Sequence, residues 1–183
     1  WTLLLPASWT LPPLIDNAAL TRDLSLARGV SLEKLRLWKA DHRKALAEML
    51  EAWPSFDGRA PEPEVLEFAL PKEAQVCVFG CTEQWQIPLL LQVELGELGS
   101  RAVLAAWLRR LAREWSARPL MIAEDVIWFQ LDELPEEERR ELFLADLLCF
   151  SSDVAECFEP AMIRPYSDEG PYYFPVPLQL SLL

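Results

Sequence analysis

The amino-acid sequence predicts an α+β fold, in which three main helices pack on a mainly antiparallel sheet. Apolar residues recur with helical spacing in three stretches, residues 32–53, 101–116 and 135–150. They recur with a period of two in four others, residues 65–70, 85–95, 126–131 and 174–183. The links between the early strand-like runs are short, which favours antiparallel pairing.

The N-terminal part is predicted to hold one strand and one long helix. Residues 1–20 indicate a strand from Trp1 to Leu5 and then a proline-rich loop. The helix is expected from about Leu32 to Trp53, with Ser31 as its N-cap. Its Pro, Gly and Asp content makes residues 54–64 a loop and the best internal boundary. We therefore divide the chain into residues 1–60 and an α+β core at 61–183, which together form one compact domain.

Residues 65–95 predict a meander of three antiparallel strands. VLEFAL (65–70) has one apolar face, and AQVCVFGC (74–81) is apolar on both faces. WQIPLLLQVEL (85–95) alternates, with Trp85 and Ile87 beginning its apolar face. The middle strand is therefore expected to be covered on both sides.

The second half of the chain predicts further helices and strands. Ser100 is expected to cap a helix at 101–116, and strands follow at 120–123 and 126–131. The third helix runs from Pro135 to about Phe150. The final run, FPVPLQLSLL, predicts one edge strand with a donor-poor side, because its two prolines lack N–H groups along the same edge.

Composition and charge exclude several functions. The net charge is −12, from 29 acidic and 17 basic residues, which argues against general binding to nucleic acid or anionic membrane. No run of about 18 apolar residues predicts a membrane span. Four cysteines do not make a disulfide scaffold, so a reduced, cytoplasmic setting is expected. Arginine outnumbers lysine 13 to 4, which favours a bacterial source that is GC-rich or heat-adapted.

Sequence motifs for catalysis, metal or cofactor binding are not found. On a strand, Cys77 and Cys81 would lie about 13 Å apart, too far to bond or to share one zinc ion, so buried structural cysteines are predicted. His42, the only histidine, lies on the apolar side of the first helix and is predicted to be a core or boundary residue. Acidic clusters, such as Glu136 to Glu138, are interpreted as solvated helix starts and turns. No catalytic, cofactor-binding or metal-binding residue is predicted.

Two groups of residues are candidates for contact with a partner. Three arginines share the polar face of the second helix and predict either a docking patch for an acidic partner or phosphate, or an ordinary solvated face. The loop RPYSDEGPYYFP (164–175) is rich in tyrosine, as many contact surfaces are. The candidate residues are Arg109, Arg110, Arg113, Tyr166, Asp168, Tyr172 and Tyr173.

Residues 75–158 contain several short aromatic motifs in a distinctive order. A Trp-x-Ile-Pro strand at Trp85 is followed by a helix with a mid-helix Trp, a short strand pair, and a helix that ends in CFSSDVAE. In this order of features the stretch resembles an uncharacterised bacterial domain-of-unknown-function family. The family has no established activity, so the resemblance implies no site residue. A histidine expected near the helix in some members is missing here.

The leading hypothesis is a non-enzymatic intracellular domain that binds another protein. The acidic charge suits a basic partner, so an immunity or antitoxin role, which neutralises a basic toxin, is one form of this hypothesis. One alternative is a structural subunit that assembles through its C-terminal edge strand, and homo-oligomerisation is compatible with it. The other is an enzyme with an unrecognised carboxylate or cysteine site. No cofactor, nucleic acid or membrane is expected as a ligand.

Overall fold

The computed structural model describes nine stretches of the chain, which are residues 1–11, 16–31, 40–52, 73–95, 100–123, 125–148, 164–165, 171–177 and 180–182. The helices are α1 (Asn17–Gly29), α2 (Ala40–Ala52), α3 (Ile87–Leu91), α4 (Arg101–Trp115) and α5 (Glu137–Leu148), with a 3₁₀ turn at Gln84–Gln86. The strands are β1 (Thr2–Pro6), β2 (Ala74–Val78), β3 (Val93–Leu95), β4 (Arg118–Ile122), β5 (Val126–Leu131), β6 (Arg164–Pro165), β7 (Tyr172–Pro177) and β8 (Leu180–Leu182).

The main sheet is mixed but mostly antiparallel. Its strand order is β2-β1-β4-β5-β7-β6, and β1 and β4 form its parallel pair. The other four adjacent pairs are antiparallel. Strands β3 and β8 form a separate antiparallel ribbon. The predicted α+β class is confirmed, although the described residues form five helices rather than three main ones.

The core lies between one face of the main sheet and the helices α4 and α5. A chain of aromatic rings joins these layers. Phe129 of β5 stacks on Phe174 of β7 at 5.3 Å and meets Trp107 of α4 edge-on at 5.6 Å. Phe143 of α5 contacts both Phe174 and Trp115 of α4. Helix α4 is therefore fixed in the middle of the structure, with its apolar face towards the sheet.

Several predicted elements are confirmed close to their expected bounds. Strand β1, the hairpin of β4 and β5, and helices α4 and α5 all lie where the periodicity places them. The apolar stripe of α4 is buried along the helix, at Leu104, Trp107, Leu108, Leu111 and Trp115. A long amphipathic helix repeats its apolar residues over four turns, so its position can be predicted from the sequence.

The strand predicted at residues 85–95 is wrong. The stretch folds as the 3₁₀ turn, helix α3 and the short strand β3. Pro88 lies in the first turn of α3, where its fixed φ and missing N–H are tolerated, whereas both disfavour a central strand. Gln92, with φ at 54°, ends the helix in the left-handed region. Leu89 and Leu91 are buried in this short helix. The strand was predicted because a short apolar run fits a helix and a strand equally well.

Two parts of the meander prediction are wrong for β2, because residues 85–95 do not form the strand next to it and it is not covered on both faces. The predicted pairing with residues 65–70 lies outside the described residues. The neighbour of β2 among the described strands is β1, which comes from the N-terminus of the chain. Cys77 points into the core, but Val76 and Val78 are 66% and 80% exposed. Apolar residues on both faces therefore do not require burial on both faces.

Residues 1–20 hold the start of a helix that the proline-rich loop prediction missed. Asp16 is the N-cap of α1, and its carboxylate accepts hydrogen bonds from the backbone N–H groups of Ala18 (2.7 Å) and Ala19 (3.1 Å). The polar sequence of α1 buries only a narrow stripe, which includes Asp23 and Ala27. Its helical period is consequently weak in the sequence.

The single C-terminal strand is wrong as one element, because the run is divided between two sheets. Strand β7 pairs with β5 along its length and with β6 at Tyr172 and Tyr173. Strand β8 pairs with β3. On the β6 side, no described strand pairs with Pro175 or Pro177, which fits the predicted donor-poor edge.

The helix predicted at residues 32–53 is observed as α2 over Ala40–Ala52. Leu46 and Met49 are buried there, and Lys44 forms an ion pair with Glu48 at 3.3 Å. His42 lies in α2, but its side chain is outside the described residues, as are residues 32–39, the boundary at 54–64, the strand at 65–70 and the segment 149–163.

Ser116 offers a direct test of local backbone strain. It ends α4 with φ at 52°, a left-handed conformation that costs a residue with a Cβ about 1 kcal/mol relative to glycine. We expect Ser116→Gly to raise the free energy of unfolding by about 0.5–1 kcal/mol in urea titrations. Ser100→Gly is the control, because Ser100 has φ at −75° and makes no side-chain capping bond. A loss of stability in Ser116→Gly would contradict the assigned conformation.

Candidate functional site

The candidate site lies where α1 passes α4. Two small buried residues, Ala27 of α1 and Ala106 of α4, line the place where the helices approach each other. Ala106 begins a stripe on α4 that continues at Arg109, Arg110 and Arg113, spaced so that all four lie along one side of the helix. Because the opposite stripe of α4 is buried against the sheet, the side that carries the arginines faces away from the sheet.

A groove of about 370 Å³ lies between the two helices. The structure thus brings together the three arginines that the sequence predicted as a patch, and places them around one concavity. Its lining among the described residues is Ala27, Val30 and Ser31 at the end of α1 and Ala106, Arg109, Arg110, Arg113 and Glu114 on α4.

Arg110 is held by a buried carboxylate. Its Nε donates to both oxygens of Asp146 of α5, at 2.9 and 2.8 Å. Asp146 is only 1% exposed and also accepts a bond from the indole N–H of Trp115, while its backbone carbonyl accepts one from Trp107. Arg110 therefore lines the groove with its charge paired internally, and its contact with a partner stays a prediction.

Arg109 lies over the ring of Trp85, with its guanidinium carbon 5.7 Å from the ring centroid. The Trp85 indole in turn donates to the carboxylate of Glu83. Burial lowers the pKa of Arg109, and the positive charges of Arg113 and Arg28 lower it further, against the opposing effect of Glu83. The stack holds this guanidinium in place while leaving its charge without an ion-pair partner among the described residues.

Arg113 is exposed and lies one turn beyond Arg109. Like charges at this spacing repel each other. In the part of the chain that the structure describes, no carboxylate forms an ion pair with Arg113. The neighbouring Glu114 instead pairs with Arg139 at 3.6 Å. The groove therefore concentrates positive charge on a protein whose net charge is −12.

The tyrosine-rich loop does not contribute to this groove in the described residues. Tyr172 and Tyr173 lie in β7, and both are half-buried. Tyr172 packs against the core. Tyr166 and Asp168 lie outside the described residues, so the role predicted for the loop stays a prediction.

A second groove, of about 460 Å³, lies on the other side of the end of α4. In the part of the chain that the structure describes, four carboxylates line it, those of Glu114, Asp132, Glu133 and Glu136. Two of them have basic partners, because Arg118 pairs with Asp132 and Arg139 with Glu114. Among the described residues, no group of three or more His, Cys, Asp or Glu side chains is arranged to hold a metal ion.

The two described cysteines are free thiols with different surroundings. Cys77 is buried in β2 and Cys81 is half-buried after it. Burial raises the pKa of both thiols above the usual value of 9.0. This environment is that of packed cysteines, whose thiolates are disfavoured, and not of activated nucleophiles.

The raised thiol pKa values predict slow alkylation and a loss of stability in base. At pH 8, iodoacetamide should modify Cys77 and Cys81 more slowly in the folded protein than in urea, with Cys77 slowest, as peptide mass spectrometry can measure. A folded-state pKa above that of the unfolded chain stabilises the fold fully below pH 9.0, and this contribution is lost as the pH rises through the folded pKa. Faster modification of either thiol in the folded state would contradict this.

Sequence reasoning missed the residues that anchor the arginines. Asp146 stands alone in the apolar run FLADLL, and a lone acid on the buried side of a helix is a signal that could have been used. Asp23 is also buried and binds Arg101 at 2.7 Å, which joins α1 to the start of α4. Trp85 was assigned to a strand, so its contact with Arg109 could not be foreseen.

Comparison with other proteins adds no relative. None of the protein-family models, curated proteins or solved structures compared with the chain matches it. The resemblance of residues 75–158 to a bacterial family stays a prediction. In the described ranges, no helix has the length and apolar character needed to cross a membrane.

Proposed function

We propose that the protein is a non-enzymatic binding domain that contacts an acidic segment of a partner protein through the arginine groove between α1 and α4. One observation carries this proposal: Arg109 and Arg113 face a single concavity without an ion-pair partner among the described residues. Carboxylates form strong, often bidentate hydrogen bonds with guanidinium groups. An acidic segment would relieve the repulsion between the two arginines.

The groove is also organised before binding. The stack on Trp85 restricts Arg109, and the bonds to Asp146 restrict Arg110. A side chain that is already ordered loses less entropy when a ligand binds. The open groove suits an extended segment of a partner, which can place successive carboxylates opposite successive arginines.

The basic partner expected of an immunity or antitoxin protein is the second candidate. The four carboxylates around the second groove favour it, although two of them already have basic partners. The two candidates differ in their kinetics. Because the protein has a net charge of −12, its association with a basic partner is steered electrostatically and slows steeply as salt is added. Its association with an acidic partner is not expected to slow in this way.

The proposal is tested with a fluorescent hexaglutamate peptide, with hexaglutamine as the neutral comparison. Fluorescence anisotropy should be measured at about 0.15 M salt, where long-range repulsion by the acidic chain is screened beyond about 8 Å. We expect hexaglutamate to bind more tightly than hexaglutamine, and Arg109→Gln/Arg113→Gln to weaken its binding about tenfold or more.

The matched control is Arg43→Gln/Lys44→Gln on α2. It also removes two positive charges, but from exposed positions away from the groove. Binding that is unchanged in this control but lost in the groove variant supports the proposal. Equal losses in both variants would show a general charge effect and would contradict it, as would equal binding of the two peptides by the unaltered protein.

A further inference from the structure

We propose that the group recognised in the arginine groove is a phosphoryl dianion, carried as a phosphorylated side chain on the partner protein. This inference rests on the proposed function and names the chemistry of its ligand. It follows from the number and placement of the guanidinium groups, from the shape of the groove, and from the carboxylate that the groove already contains.

One carboxylate would not neutralise the positive charge in the groove. Arg109 and Arg113 are unpaired among the described residues, and Arg28 in the last turn of α1 is close enough to influence Arg109. The Nε of Arg110 donates to Asp146, and the two terminal nitrogens of the same guanidinium carry four further N–H donors. A phosphate monoester has about two negative charges and three strong acceptor oxygens, and can bind several guanidinium groups at once.

The groove has room for a phosphoryl group between the arginines. Ala27 and Ala106 line it with methyl groups only, which leaves space between the arginines. Ser31 at the end of α1 adds a hydroxyl that can donate a hydrogen bond to a phosphoryl oxygen. A glutamate side chain would place one planar carboxylate in the same volume and leave part of the charge unused.

Glu114 shows that a nearby carboxylate does not neutralise these arginines. It lines the groove beside Arg113, yet its ion pair is with Arg139. Glu114 and the carboxyl end of α1 place negative charge at the rim. The anion is therefore expected between Arg109 and Arg113, away from Glu114.

The test compares one peptide in three forms: a fluorescent Gly-Ala-Xaa-Ala-Gly peptide in which Xaa is serine, glutamate or phosphoserine. At pH 7.5 the phosphoserine form should bind at least about tenfold more tightly than the glutamate form. Arg109→Gln/Arg113→Gln should remove this advantage, while Arg43→Gln/Lys44→Gln should keep it.

The pH dependence gives a second readout that a carboxylate ligand would not show. The second ionisation of a phosphate monoester has a pKa of about 6, so binding should weaken between pH 7.5 and pH 5 as the dianion gains a proton. Arg109, Arg110 and Arg113 line the groove together with Glu114, and the charges of Arg28 and Glu83 act on Arg109 from nearby. Guanidinium groups in general do not titrate between pH 5 and pH 7.5. Glutamate-peptide binding should change little over the same range, because its carboxylate ionises near pH 4.3.

The possible failures separate this inference from the proposed function. Equal, Arg109- and Arg113-dependent binding of the glutamate and phosphoserine peptides would overturn the inference and leave the function standing. No binding of either peptide would overturn both. Inorganic phosphate that binds as tightly as the phosphoserine peptide would overturn the assignment to a protein-borne phosphoryl group, since the peptide would then contribute nothing.

Discussion

Replacing Asp146 with alanine is expected to lower the free energy of unfolding by about 3–5 kcal/mol. Asp146 is 1% exposed and accepts bonds from Arg110 and Trp115. Removal of the carboxylate leaves a partly buried guanidinium and a buried indole N–H without their acceptor. Breaking a buried pair in this way is costly, because the remaining charge is partly desolvated and no longer has an ion-pair partner. Urea denaturation followed by tryptophan fluorescence measures the change.

Two further variants make this result specific. Asp132→Ala removes a carboxylate from an exposed pair with Arg118, in which both side chains are about half exposed, and should cost no more than about 1 kcal/mol. The double variant Arg110→Met/Asp146→Leu should recover part of the loss, because no charge is left buried, while the indole N–H of Trp115 still lacks its acceptor. A loss below about 1 kcal/mol in Asp146→Ala would show that the Arg110 contact does not hold the groove together.

Phe129→Ala is expected to cost about 3–5 kcal/mol in the same assay. Phe129 is fully buried, stacks on Phe174 and meets the edge of Trp107. The substitution leaves a cavity between the sheet and α4 and removes two ring contacts, each worth about 0.5–1.5 kcal/mol. Near-ultraviolet circular dichroism should also weaken, since Trp107 loses an aromatic neighbour.

Val78→Ala is the comparison for this second prediction. Val78 is also on a strand of the main sheet, but it is 80% exposed, so its truncation should change stability by no more than about 0.5 kcal/mol. Similar losses in the two variants would contradict the assignment of Phe129 to the core and of β2 to the surface.

The parts of the fold that sequence reasoning predicts are those with a long, regular period. Helix α4 shows its apolar stripe over four turns, and β5 alternates in and out along its length. Short apolar elements are not predictable in this way. The run that contains α3 alternates as a strand would, and its helical state is decided by Pro88 and by tertiary burial.

The candidate site could be predicted only in part, because one helix carries the arginines and other elements decide what they do. The spacing of Arg109, Arg110 and Arg113 places them on one side of α4, and the structure confirms this arrangement. Their different states depend on Asp146 in α5 and Trp85 in the 3₁₀ turn. Such long-range contacts leave no spacing signal in a single sequence.

The central claim is that the groove between α1 and α4 is the binding site, and NMR of the arginine side chains tests it most directly. Hexaglutamate would be titrated into ¹⁵N-labelled protein while the Nε–Hε signals of Arg109 and Arg113 and the indole signal of Trp85 are followed. We predict saturable shifts at these three groups and little change at Arg43 or Arg118, which lie outside the groove. Shifts that centre on Arg118, or that spread evenly over all the arginines, would contradict the account.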